Sequence, residues 1–247
     1  MLDSIMERFC RGDRLALSRL LTFIARGEYL EEILRQIQPI HKLSLVVAIT
    51  GSGGVGKSSL IGKSIEWLRQ DKRTVAVLAS DPQSPVSGGA LLGDRFRMPI
   101  RAEDDGVFIR SLAAAPRQGA VAKHLGIMVR LVEAYGFDVI ILETVGAGQG
   151  DTAVREYADV LVLLLQPETG DDLQWEKAGI LEVVDIVGIH KADLPGSELV
   201  EAQVRSALDL SEDRPIPVLR ISSKTGQGIE ELWNTIAQCP RRREGVN

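Results

Sequence analysis

The octapeptide Gly51-Ser52-Gly53-Gly54-Val55-Gly56-Lys57-Ser58 constrains this chain more than any other feature. It satisfies G-x-x-x-x-G-K-[ST] in full, a spacing that cradles phosphate when a strand leads into it and a helix leads out. Both flanks comply: the aliphatic run 43–49 reads as a buried strand, and 58–70 reads as a helix. Glycines at 51, 54 and 56 let the backbone curl until successive N–H groups face phosphate oxygens. The helix N-terminus adds positive potential. Lys57 is placed for the β- and γ-phosphates and the Ser58 hydroxyl for Mg²⁺, with Gly53, Gly54, Val55, Gly56 and Ser59 around the nucleotide.

Strands and helices alternate from Leu43 onward. Strand candidates fall at 43–49, 74–79, 107–111, 138–143, 159–165, 184–189 and 217–221, and helix candidates at 58–70, 119–135, 150–157, 172–182, 197–209 and 227–238. The strand runs are aliphatic without strict alternation, as expected when helices cover both faces. The predicted fold class is therefore α/β, a P-loop NTPase on a mainly parallel, doubly wound sheet of about seven strands, with ligands at the carboxyl ends of the strands. Residues 1–40 hold no strand-like run. Leu15, Leu20, Leu21, Ile24, Leu30, Ile33, Leu34 and Ile37 give them helical periodicity, predicting an N-terminal extension of two short helices ending at Pro39, ahead of a nucleotide domain over 41–240.

Bulk composition narrows the partners. A formal net charge of −5 provides no basic field for nucleic acid or an anionic membrane. No apolar run approaches the roughly 20 residues that span a bilayer, and the N-terminus is not patterned as a signal peptide. Cys10 and Cys239 lack metal-ligand spacing and suit a reducing compartment, so a cytoplasmic protein is expected.

Two further strand ends carry switch chemistry. Val139–Glu143 closes on a carboxylate, and Gly146 three residues later can offer its N–H to a γ-phosphate. Glu143 is a candidate for the Mg²⁺ water shell or for orienting water. Ala147 stands where Ras-like GTPases place a water-orienting Gln; Gln149 is either its substitute or a solvent-facing turn residue, and slow hydrolysis without a partner is expected. Asp81, in Ala79-Ser-Asp-Pro-Gln-Ser-Pro85, meets the metal from a second direction or caps the following turn. Arg95, Arg97 and Arg101 are either phosphate-reaching or solvated arginines.

The base is read further on. His190-Lys191-Ala192-Asp193 is close to [NT]-K-x-D, in which the Asp accepts hydrogen bonds from guanine N1–H and the 2-amino group while the Lys stem packs along the base. His190 departs from Asn or Thr, yet its ring can donate a hydrogen bond that braces the loop. Ser222-Ser223-Lys224 is close to the S-A-K loop, whose backbone N–H meets guanine O6. Both motifs close strands, in order, which favours GTP/GDP over adenine nucleotides: adenine would leave Asp193 unpaired.

With these residues in view, the chain resembles the MeaB/MMAA (ArgK-like) G proteins, GTPase chaperones of cobalamin-dependent acyl-CoA mutases. The resemblance runs from about Leu43 to Ala192, more weakly to Gly228, and rests on Gly51–Ser58, Asp81–Pro85, Gly88–Met98, Phe108–Arg110, Gly136–Gln149 and Gly170–Lys177. It implies the signal-recognition-particle/MinD/BioD type of NTPase and an adenosylcobalamin-dependent acyl-CoA mutase as partner. It also implies a partner-sensing switch at Gly170–Lys177, with Asp171 moving toward the metal or nucleotide shell and Lys177 toward the phosphates. For Lys177 a solvated helix lysine is the competing reading. The sequence departs from the family at His190 and, within the switch, at Trp175 and Glu176. The family's C-terminal dimerisation arm has no counterpart in these 247 residues, so its dimer mode does not carry over and a homo-oligomer stays open.

Three other readings share the fold. A metal-delivery GTPase would carry His-rich tracts or clustered cysteines, whereas His41, His124 and His190 are scattered. An assembly switch would have a partner other than a mutase. An ATP-dependent small-molecule kinase would release a phosphorylated product.

Overall fold

The computed structural model describes residues 1–37, 43–82, 104–114, 123–144, 153–167, 178–209 and 215–242. Within them all seven expected strands form: β1 (Leu45–Gly51), β2 (Val75–Pro82), β3 (Val107–Ala114), β4 (Val139–Glu143), β5 (Val160–Leu165), β6 (Ile186–His190) and β7 (Val218–Ile221). They make one sheet in the order β3-β2-β4-β1-β5-β6-β7, every pair parallel. The central strands β1, β4, β5 and β6 are buried along their full length. Alternate residues feed opposite faces: Val46 and Ala48 pack into one apolar cluster, Leu45, Val47 and Ile49 into the other.

Helices cover both faces. α4 (Lys57–Gln70) and α8 (Ile229–Gln238) contribute Leu60, Ile61, Leu68, Leu232 and Trp233 to one cluster. α5 (Leu125–Tyr135) and α7 (Ser197–Asp209) contribute Met128, Leu131, Val200 and Val204 to the other. The candidate helix 119–135 starts, within the described residues, only at Leu125, because His124 has φ +62°. Candidate 150–157 is a 3-10 helix over Ala153–Tyr157, and the described part of 172–182 is the short α6 (Ala178–Leu181).

The N-terminal extension differs from expectation. It forms three helices rather than two: α1 (Leu2–Cys10), α2 (Arg14–Arg26) and α3 (Leu30–Gln36). Asp13 caps α2 by accepting from the N–H groups of Leu15 and Ala16 at 2.8 and 3.2 Å, and Gly27 ends it at φ +75°. The chain then turns through Tyr29 (φ +56°) into α3. Leu17, Leu20, Leu21, Ile24 and Ile33 are fully buried in the cluster that α5 shares with the sheet. Polar ties add to this: Arg110 on β3 donates to Thr22 Oγ1 at 2.9 Å, and Arg14 donates to the Val107 carbonyl while lying over the Phe108 ring.

Three aspartates fasten the amino edge of the sheet. Asp138, Asp159 and Asp185 each stand one residue before a strand, and each accepts a backbone N–H from a neighbour: Thr74 at 2.8 Å, Val46 at 2.9 Å and Leu161 at 2.9 Å. Arg155 and Arg242 also donate to Asp185 Oδ1, at 3.0 and 3.2 Å. The opposite, carboxyl edge carries the candidate site.

Candidate functional site

The site begins where β1 ends. Gly51 pairs with Leu164 of β5, and a Cβ there would stand 2.5 Å from the Leu164 carbonyl oxygen, so only glycine lets the loop leave the sheet at this point. The loop then rises so that Gly53 and Gly54 are exposed, with open space where their side chains would be. Val55 plugs into the core beneath and is fully buried. Gly56, at φ +99°, turns the chain into α4, whose first residues are Lys57, Ser58 and the exposed Ser59. The result is a glycine-rich turn that leads straight into a helix N-terminus, the form that binds phosphate.

Lys57 is buried, and its ammonium donates to the Gly51 and Ser52 carbonyls at 2.8 and 3.2 Å, which holds the loop closed on itself. The Ser58 hydroxyl donates to Glu143 Oε1 at 2.8 Å, and both residues are buried. The sheet register brings them together: Glu143 ends β4 directly opposite Ile49 of β1 and Ala79 of β2. A hydroxyl and a carboxylate thus converge at the mouth of the phosphate loop, an oxygen-donor pair of the kind that suits Mg²⁺. Asp81 follows Ala79 by two residues, so its backbone sits at the carboxyl end of β2 beside that pair; its side chain lies outside the described atoms. Gly146, Gln149, Asp171 and Lys177 also lie outside the described residues, as do Arg95, Arg97 and Arg101.

One pair of residues was not anticipated. Thr144 Oγ1 donates to Thr50 Oγ1 at 3.0 Å, and the Thr144 N–H donates to Ile49 O at 3.2 Å, with both threonines buried. They couple the root of the phosphate loop to the residue after Glu143. The available signal was position: each threonine adjoins a residue already singled out, Gly51 or Glu143.

The two loops predicted to read the base gather at the ends of β6 and β7. Ser222, fully buried, donates to Asp193 Oδ1 at 2.6 Å, and Lys224 approaches Asp193 Oδ2 at 3.9 Å. The hydrogen bond from Ser222 is the main cause holding the Asp193 carboxyl below its ordinary pKa, so it is ionised at neutral pH. The backbone joins the two loops through Ala192 N–H, which donates to Ile221 O at 3.0 Å, while Ser222 N–H donates to Gln227 O at 3.0 Å within the second loop. Lys191 adopts φ +58°, marking the sharp turn from strand to loop.

His190 braces more than was expected of it. Its Nδ1 lies 2.6 Å from the Val55 carbonyl oxygen, and its Nε2 lies 2.7 Å from Ser223 Oγ. A carbonyl only accepts, so Nδ1 carries the proton and Nε2 accepts from the serine hydroxyl. Burial is the main cause that pushes the imidazole below its ordinary pKa, keeping it neutral in this tautomer. The ring rests on Gly56, where a Cβ would lie 2.5 Å from Cε1.

The model of the family described as "Methylmalonyl Co-A mutase-associated GTPase MeaB" matches residues 17–244. The chain belongs to the MeaB family. A putative GTPase of Pyrococcus abyssi is 42% identical over 96% of this chain and 76% of its own length. GTPase ArgK of Escherichia coli is 34% identical over 94% of this chain and 73% of its own. The mitochondrial methylmalonic aciduria type A homolog of Mus musculus is 33% identical over 96% and 62%. Among solved structures, that of an LAO/AO transport system kinase superposes with a TM-score of 0.73 at 26% identity, covering 96% of this chain and 74% of that one. HypB from Archaeoglobus fulgidus, at 22% identity and a TM-score of 0.59, shares the fold. As a MeaB-family member the chain is a GTPase with a seven-stranded parallel P-loop core. No helix among the described residues is long and apolar enough to cross a membrane.

Proposed function

We propose that this protein is a Mg²⁺-dependent GTPase switch that chaperones an adenosylcobalamin-dependent acyl-CoA mutase, gating the loading or protection of its cofactor. The observation that carries the nucleotide half is the Ser222–Asp193 bond at 2.6 Å, which holds an ionised carboxylate where two strand-end loops meet. Guanine presents two adjacent donors to such a carboxylate and adenine does not. The mutase half rests on the family match over 17–244.

When GTP enters, Lys57 exchanges the carbonyls of Gly51 and Ser52 for β- and γ-phosphate oxygens, and the loop amides and α4 N-terminus take the remaining charge. Ser58 and Glu143, with Asp81 from β2, are the residues that would hold Mg²⁺. The ion would neutralise charge on the phosphates. Water attacks the γ-phosphorus and the bond to the β–γ bridging oxygen breaks, giving GDP and phosphate. Asp171 and Lys177 act from the partner-sensing segment and Gly146 senses the γ-phosphate, while Gln149 or Glu143 orients the water. Turnover is slow until the mutase completes this arrangement.

The test is GTP turnover by the purified chain with and without purified acyl-CoA mutases, with magnesium present or chelated. Acceleration by one mutase, abolished by chelation, supports the proposal. Magnesium-dependent turnover that no mutase alters would remove the chaperone half and leave the GTPase.

A further inference from the structure

His190 departs from the Asn or Thr of its motif, and Ser223 from the Ala of its own. The two departures meet: Ser223 Oγ lies 2.7 Å from His190 Nε2. The same ring reaches the Val55 carbonyl, in the middle of the phosphate loop, through Nδ1 at 2.6 Å. It occupies the notch left by the missing side chain of Gly56. One rigid, buried ring therefore spans from the loop that meets guanine O6 to the loop that cradles the phosphates. Because the ring is planar and held at both nitrogens, displacement at one end tilts the other.

We infer that His190 and Ser223 form a positioning pair that strengthens guanine-nucleotide binding in this chain by fixing the Ser223 N–H against O6 and tying that position to the phosphate loop. The inference rests on the guanine reading proposed above. Neither residue touches a reacting atom; both act through the loops they hold.

Substitution chemistry separates the two halves of the ring. An asparagine amide nitrogen stands, like Nδ1, two bonds from Cβ. His190→Asn thus keeps the bond to Val55 and loses the one to Ser223. Ser223→Ala loses the same bond from the other side, and so does the double variant. A lost neutral hydrogen bond weakens binding by about fivefold.

The experiment measures affinity for GDP and for 6-thioguanosine diphosphate, which keeps both donors read by Asp193 but replaces O6 with a weakly accepting sulfur. The expected result is that His190→Asn, Ser223→Ala and the double variant all lose about fivefold for GDP, equally, and less than about twofold for the thio analogue. Losses that multiply in the double variant, that are equal for both nucleotides, or that are absent would each overturn the pair while leaving guanine recognition intact. A wild-type chain that does not prefer GDP to ADP would overturn the guanine reading and the pair with it. Thermal melting checks folding; should His190→Asn not fold, Ser223→Ala at its half-buried position carries the comparison alone.

Discussion

Asp193→Asn is the sharpest test of how the base is read, because it changes a single atom of the side chain and predicts both a loss and a gain. In the structure Ser222 already satisfies Oδ1 at 2.6 Å, and Lys224 stands 3.9 Å from Oδ2. Guanine would bring N1–H and the 2-amino group to this carboxylate, both as charge-assisted hydrogen bonds. The asparagine keeps one uncharged oxygen and turns an N–H toward a guanine donor, so one bond is lost and a donor meets a donor. Loss of one hydrogen bond to a charged group corresponds to roughly tenfold or more in affinity, and GDP binding should fall at least that far. Xanthine carries a carbonyl where guanine carries the 2-amino group, so the amide N–H introduced by the substitution gains a partner and affinity for XDP should rise. Titration calorimetry with both diphosphates reads both effects. The carboxyl is held below its ordinary pKa in the folded chain, so its contribution is present above the ordinary carboxylate range and fades only as pH falls through the depressed value. Wild-type GDP affinity should therefore not vary through this group between about pH 6 and 8. Unchanged GDP affinity in the variant, with no gain for XDP, would refute the reasoning.

Other outcomes follow from the same geometry. Lys57→Ala should lower GTP turnover by about a hundredfold or more in a phosphate-release assay, since a preorganised cation at the phosphates is removed. Gly51→Ala should destabilise the fold by roughly 2–4 kcal/mol in urea unfolding, because the new Cβ meets the carbonyl of Leu164, its partner in the neighbouring strand, at 2.5 Å. Asp159→Ala should cost about 1–3 kcal/mol by leaving the Val46 N–H without its acceptor. His190 is kept neutral by burial, so its protonation opposes folding and stability should decline as pH falls through its ordinary pKa toward the depressed one, a decline that thermal melting against pH should show to be smaller in His190→Asn.

Much of this was legible in the sequence because its signals are local. The central strands are largely short aliphatic runs, and the phosphate loop is set by glycines whose positions leave few backbone alternatives. His190 was legible as a brace, since a ring nitrogen stands where an amide usually donates; its second bond was not, because Ser223 lies on another loop, 33 residues away. The third N-terminal helix escaped notice because apolar spacing runs on from Ile24 to Leu30 and Ile33, while the break depends on Gly27 and on Tyr29 adopting a positive φ. Strand order was beyond reach for a related reason: β1 lies between β4 and β5 through pairings that no local pattern encodes. The threonine pair under the phosphate loop depends on the same long-range register.

The aspartates at the amino edge bear on how such a molecule can change shape. With the starts of β4, β5 and β6 each pinned to an adjoining chain segment, sliding one strand along another would break a charged contact. The sheet is thus a fixed anvil. Whatever cleavage of a nucleotide sets in motion must be expressed beyond the far tips of the strands, where a partner can feel it while the core keeps its register.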